Sequence, residues 1–150
     1  MTDQDLVYLS GEEVLKLFHA RELSPVAFMK AILEQAHKAH DAVNCVTEFM
    51  EESAMKTAQE AEDRYMGKGE APRALEGLPL AVKEELPLAG TGRSQASLAY
   101  KDRVDDFTVV YLQRLIDAGA IPHCKTTTPE FCLLGTTTSK LWGTSRNPWN

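Results

Sequence analysis

The sequence lacks any apolar stretch approaching the roughly 18 residues that an α-helix needs to cross a bilayer. Its first ten residues carry neither the basic segment nor the apolar one that directs export. The expectation is a cytoplasmic protein without a membrane partner. Cysteine is scarce: Cys45, Cys124 and Cys132 are odd in number and unpatterned, which fits thiols kept reduced better than a disulfide framework. Basic runs are missing too, and no aromatic residues interleave with Lys or Arg. Sixteen Lys plus Arg face twenty-two Asp plus Glu, and a formal charge of -6 argues against nucleic acid as a partner. The acids are thickest from Glu48 to Asp63, a pattern that reads as a solvated surface. There is no internal repeat and no heptad seam.

What is present is ordinary for a globular chain: 43% apolar and 25% charged residues over 150 positions, enough for about one domain that buries roughly two-thirds of its unfolded surface. Ser10-Gly11-Glu12-Glu13 has the form of a capping box and predicts a helix from Gly11, with Val14, Leu15, Leu17 and Phe18 as its apolar positions. Ser24-Pro25 predicts a second helix running to about His40. Val43 to Phe49 reads as a strand and Glu51 to Met66 as a helix, broken by Gly67, Gly69 and Pro72. Leu78-Pro79-Leu80-Ala81-Val82 is a short apolar run, the pattern of a strand buried on both faces. Asp105 or Asp106 is placed to cap a helix whose stripe is Phe107, Val110, Tyr111 and Leu115, with Gly119 as its left-handed C-cap. Ala120 to Cys124 predicts another strand, Thr128-Pro129-Glu130 a fresh helix start, and the Thr-, Ser- and Gly-rich remainder a loop.

Lys83 is the position that a bland domain does not explain. It stands at the end of a strand predicted to be buried, where loss of water can lower an amine's pKa enough to make it a proton acceptor near neutrality. Such an amine activates a hydroxyl nucleophile. The competing reading is an ion pair with Glu84 or Glu85, or a side chain that snorkels to solvent. Other patterns are thinner. Ser53-Ala54-Met55-Lys56 matches the S-x-x-K nucleophile motif but stands on a polar helix without its companion motifs. His37, His40 and Asp41, or His123-Cys124 with Cys132, lack a fourth metal ligand. Gly90-Thr91-Gly92 has no third glycine and no Walker lysine, and reads as a turn. Trp142 and Trp149 flank a Gly- and Pro-containing loop.

A series of segments then carries a specific resemblance. Gly77-Leu78-Pro79-Leu80-Ala81-Val82-Lys83-Glu84 resembles the G-x-P-x-x-x-K-D element of the amidase signature family, and Leu88-Ala89-Gly90 follows it. Asp106-Phe107-Thr108-Val109-Val110 and Arg114-Leu115-Ile116-Asp117-Ala118-Gly119-Ala120 are similar to its D-A-x-V-V and R-L-R-x-A-G-A stretches. Lys125-Thr126-Thr127-Thr128-Pro129-Glu130-Phe131 resembles K-T-N-x-x-E-F, and Gly143 to Asn150 resembles G-x-T-x-N-P-W-N. The match runs in unbroken order over about residues 75–150, as the first part of the signature core, after an N-terminal helical region at 1–74.

The resemblance implies an α/β fold, a mixed β-sheet flanked by helices, incomplete in this chain. It implies amide hydrolysis by a Ser-cis-Ser-Lys triad with Lys83 as the base, Cys132 and Leu133 beside the scissile carbonyl, and no cofactor or metal. The expected substrate is a small-molecule amide. The family's serines lie in a G-G-S-S-G-G-like stretch that would begin after Asn150, so this chain alone is expected to be inactive. A homodimer or a missing C-terminal segment is the expected partner, and a non-catalytic module that needs such a segment is the alternative. Glu84 replaces the usual Asp, Thr127 the common Asn and Cys124 the usual Gly, departures that bear on fine geometry.

Overall fold

The computed structural model describes residues 6–149. Asn150, which closes the Asn-Pro-Trp-Asn element, and residues 1–5 of the N-terminal stretch lie outside the described residues.

Ser10 starts helix α1 (Gly11–Ala20) as the capping box predicts. Its N–H donates to Glu13 Oε2 at 2.8 Å, and the Glu13 N–H donates to Ser10 Oγ at 3.3 Å. Ser24 caps α2 (Pro25–Val43), its Oγ accepting from the Ala27 N–H at 3.1 Å. Strand β1 (Val46–Phe49), helix α3 (Glu51–Tyr65), strand β2 (Pro79–Lys83), helix α4 (Val110–Asp117) and strand β3 (Ile121–Thr126) follow. A two-stranded ribbon, β4 (Thr138–Ser139) and β5 (Gly143–Thr144), lies in the segment expected to be loop. The main sheet has the order β1-β3-β2. It is mixed, as expected. β1 runs antiparallel to β3, whereas Leu78 accepts from the Ile121 N–H at 2.7 Å and Thr126 accepts from the Glu84 N–H at 2.9 Å, the advancing pattern of a parallel pair.

The contacts divide into two units. The first comprises Met1–Gln35, Met50–Leu80 and Arg114–His123. Its core joins Val14 and Phe18 of α1 to Phe28 and Ala31 of α2 and Tyr65 of α3, with Phe18 edge-on to Phe28 at 5.9 Å between ring centroids. α3 is mostly polar, and buries only Ala54, Ala58, Ala61 and Tyr65. That small-residue stripe lets a polar helix pack closely, and Met29, Leu33 and Ile121 fill the space beside Ala54 and Ala58. Gly119 ends α4 at φ +105, and a Cβ there would stand 2.6 Å from the Glu76 Cα. Ala118 and Gly119 carbonyls accept from Leu75 and Gly77 at 2.7 and 3.0 Å, which fixes that close approach.

The second unit comprises Ala36–Phe49, Ala81–Gln113 and Cys124–Asn150. Two expectations are corrected here. The helix starts at Val110 rather than after Asp106, and Phe107, Val110 and Tyr111 are exposed. Asp105 caps nothing: it is buried against Arg93, with Nε to Oδ2 at 2.6 Å and Nη2 to Oδ1 at 2.8 Å. A buried guanidinium has the stronger claim on a carboxylate than a helix start has. Nor does the Thr128-Pro129-Glu130 start grow into a helix. It stops as one 3-10 turn (Glu130–Cys132), because Phe131 and Cys132 adopt left-handed φ of 52° and 56°.

Gly119→Ala should lower the unfolding free energy by about 2 kcal/mol or more, through the left-handed strain and the backbone clash together. Urea denaturation measures it, and Gly67→Ala, with open space around it, should cost less.

Candidate active site

Strand β2 alternates as a pleat must. Val82 and Glu84 point into the second unit and are buried, while Ala81 and Lys83 point out. The expectation of a strand buried on both faces, and of a buried Lys83, is therefore corrected. Its side chain is 44% exposed, and Nζ lies 2.9 Å from Glu85 Oε1. The Glu85 hydrogen bond lifts the amine's pKa above the ordinary lysine value, outweighing the partial loss of water. That direction is opposite to the one predicted for a desolvated base.

The amine has a second neighbour. The Cys132 thiol donates to Glu85 Oε2, and Thr128 Oγ1 lies 2.8 Å from its sulfur. The hydrogen bond from the thiol and then that from Lys83 hold the Glu85 carboxyl below the usual carboxylate range. Thus Lys83, from the end of β2, and Cys132, from the turn after β3, meet on one carboxylate. Leu133, the third residue named from the sequence, is 78% exposed and makes no part of this cluster.

Behind the turn lies a second amine. Lys125, near the C-terminal end of β3, has no exposed surface. Its ammonium donates to the Leu86 carbonyl at 2.8 Å and sits 3.4 Å from Thr91 Oγ1. Burial pushes its pKa down, opposed by Glu84, Asp105 and Glu48. Glu84, also buried, accepts from both the backbone N–H and the hydroxyl of Ser94, the hydroxyl at 2.6 Å. Its Oε2 is buried without a protein partner. Trp142 donates from Nε1 to Ser94 Oγ at 3.1 Å, and Glu84, Ser94, Trp142, Glu48 and Lys101 line a cavity of about 80 Å³.

The chain matches known proteins over most of its length. The family model described as Amidase covers residues 27–150. An amidase of Gibberella zeae is 31% identical over 95% of this chain, and fatty-acid amide hydrolase 2 of Homo sapiens is 30% identical over 98% of it. The chain belongs to the amidase family. It spans 26% and 29% of the lengths of those two amidases. Among solved structures, a fatty acid amide hydrolase superposes over the whole chain and 27% of its own, with TM-score 0.92 at 24% identity. Another, an amidase, superposes over 93% of this chain and 31% of its own, with TM-score 0.82 at 28% identity.

Within the amidase family pattern, the departures make local bonds. Glu84 accepts from the Ser94 hydroxyl, and Thr127, in the place of the common Asn, has its Oγ1 2.8 Å from Ser145 Oγ. Asn44 and Ser145 pin the family's Gly-x-x-x-Asn-Pro-Trp stretch: Asn44 Nδ2 donates to the Trp142 carbonyl at 2.7 Å, and Ser145 Oγ to the Asn44 carbonyl at 2.6 Å. Trp142 is half-buried, whereas Trp149 is 92% exposed.

The rival patterns are occupied otherwise. Ser53 Oγ donates to the Met50 carbonyl at 3.1 Å. His37 stacks on Phe49 at 4.0 Å, and His40 Nδ1 accepts from the Val46 N–H at 3.2 Å. Among the described residues no three His, Cys, Asp or Glu side chains converge as metal ligands, and no helix is long and apolar enough to cross a membrane.

The two lysines should part company on mutation. Lys125→Met leaves the buried Leu86 carbonyl without its side-chain donor and should cost about 1–3 kcal/mol of stability. Lys83→Met breaks a half-exposed pair and should cost less than about 1 kcal/mol. Paired urea titrations read both values.

Proposed function

We propose that this chain supplies the base of an amide-hydrolysing site of the Ser-cis-Ser-Lys type, with Lys83 as that base. The observation that carries the reading is the position of Lys83. It stands where β2 ends, accessible to solvent, at the lysine of the family's G-x-P-x-x-x-K element, and the other family-like segments follow in order. In this reading residues 75–150 belong to the first part of the signature core, after an N-terminal region at 1–74 whose strand β1 joins the same sheet.

The chemistry is nucleophilic acyl transfer. A serine hydroxyl attacks the amide carbonyl, and its proton passes through a second serine towards the neutral amine of Lys83. The C–N bond breaks as the amine leaving group takes a proton, and water then cleaves the acyl-enzyme ester. The serines belong to the Gly-Ser-rich segment that the resemblance implies after Asn150. The 150-residue chain alone therefore catalyses nothing in this reading. Cys132, beside Lys83, contacts the substrate near the scissile carbonyl, and Leu133 offers an exposed apolar surface next to it.

The relatives include an acylamidase, a fatty-acid amide hydrolase and glutamyl-tRNA(Gln) amidotransferase A subunits, so the substrate class assigned is the carboxylic amide in general. Three free thiols support a reducing, cytoplasmic setting.

The alternative, a non-catalytic module completed by a partner segment, is separated from this reading by the coding sequence beyond Asn150. A stop codon there with no second chain supplying serines removes the enzyme reading. In a polypeptide that runs on into a Gly-Ser-rich segment, Lys83→Ala should lower turnover of a chromogenic anilide by about 10³-fold or more while urea stability holds. Activity retained in Lys83→Ala would remove Lys83 from the mechanism. Ser53→Ala should leave turnover unchanged.

A further inference from the structure

Glu85 lies outside the motif positions that carry the family resemblance, yet it is the group through which the site is assembled. Its carboxylate is shared, with Oε1 at 2.9 Å from Lys83 Nζ and Oε2 accepting from the Cys132 thiol. The two donors come from different segments, the end of β2 and the turn after β3. Neither end is free to drift. Lys83 accepts at its carbonyl from the Leu86 N–H at 2.9 Å, which closes the turn containing Glu85. Cys132 is held at φ 56° next to Phe131 at φ 52°, conformations that cost a non-glycine residue of order 1 kcal/mol or more and persist only where the surroundings enforce them. The Phe131 N–H donates to the Gln95 carbonyl at 2.9 Å, and the Cys132 N–H to the Pro129 carbonyl at 2.9 Å, so the thiol is presented by a braced turn.

The charged and titratable groups that act on Lys83 are Glu85 and Cys132, and those that act on Glu85 are Cys132 and Lys83. Glu84, the neighbour in sequence, points the other way and is committed to Ser94. An ammonium paired with a carboxylate has no lone pair to offer a hydroxyl. A lysine that is to act as base must first lose its proton, here to the water that reaches its half-exposed amine.

Resting on the reading of Lys83 as the base, we propose that Glu85 is a positioning residue for it. Its carboxylate is a clamp, tied down by the Cys132 thiol, that fixes the amine at rest and must let go before the amine accepts a proton from a serine. The braced turn and the strand end then act together: whatever displaces the Cys132 thiol, a substrate carbonyl or an acyl group arriving beside it, loosens the carboxylate and frees the amine. The charge balance is kept, because the proton leaves Lys83 for solvent while Glu85 remains ionised.

The test is a titration of Lys83 itself, on the 150-residue chain. Lysines are converted to ¹³C-dimethyl-lysines, the Lys83 resonance is assigned by its loss in Lys83→Arg, and its pKa is followed by NMR. Glu85→Gln should lower that pKa by about one unit or more, because the carboxylate that favours the charged form is gone. An unmoved Lys83 titration in Glu85→Gln overturns the proposal. Should Glu85→Gln fail to fold, Glu85→Asp is read in the same way, its shorter arm predicting a smaller fall and an unmoved value again overturning it. In a polypeptide with hydrolytic activity, the acid limb of the kcat/KM profile should move to lower pH in Glu85→Gln. The two readings fail separately: hydrolysis retained in Lys83→Ala removes the base but leaves the titration shift standing, whereas an unshifted titration removes Glu85 alone.

Discussion

Lys125 is wholly buried near the end of β3, and an ammonium in that position must be surrounded by oxygen. Taking such a charge out of water costs several kcal/mol, which close acceptors and opposite charges offset. The acceptors are the Leu86 carbonyl and the Thr91 hydroxyl, and the charges that favour the ammonium are Glu84, Asp105 and Glu48. Leu86 belongs to the turn that closes on the Lys83 carbonyl, so fixing it fixes the point at which Lys83 and Glu85 leave the strand. Thr91 lies in the segment whose return strand is tied by Arg93 and Asp105, with the Asp105 N–H donating to the Thr91 carbonyl at 3.1 Å. One buried cation thus sets the position of the exposed one.

The division of labour between the two lysines follows from the pleat. Successive residues of β2 face opposite ways, so a strand that puts Val82 and Glu84 inside must put Lys83 outside. An amine outside keeps its water and finds the nearest carboxylate, Glu85, and its proton is held rather than released. The same logic explains why Glu84 tolerates an unpartnered oxygen. One of its oxygens already accepts twice from Ser94, and the residue lines a cavity of about 80 Å³.

Much of this was legible in the residues. The capping box at Ser10, the Ser24-Pro25 start, the helix from Glu51 and the left-handed end at Gly119 are local signals, and the structure follows them. The start at Thr128 is a local signal that the backbone does not follow, since Phe131 and Cys132 turn left-handed. The other differences concern tertiary choice. Asp105 looked like a helix cap because a cap needs only its own neighbours in sequence, whereas its partner Arg93 lies twelve residues back. Phe107, Val110 and Tyr111 show a helical stripe, but periodicity says which residues share a face and not whether that face is covered. The apolar run before Lys83 was read as buried on both faces when one face only is. Lys125 carried no local sign of burial, since its neighbours are mostly threonines and polar residues. The pairing of Cys132 with Glu85 spans forty-seven residues, and no spacing rule reaches that far.

The central claim is that the amine of Lys83 is the base for a serine hydroxyl and that Glu85 holds it until then. Its most direct test is a crystal structure of a polypeptide in which this chain runs on into the Gly-Ser-rich segment, trapped with an acyl group on its nucleophile. The account predicts a serine hydroxyl within about 3 Å of Lys83 Nζ, with the Glu85 carboxylate turned away from the amine. An amine still closed on Glu85, with no hydroxyl in reach, would contradict it.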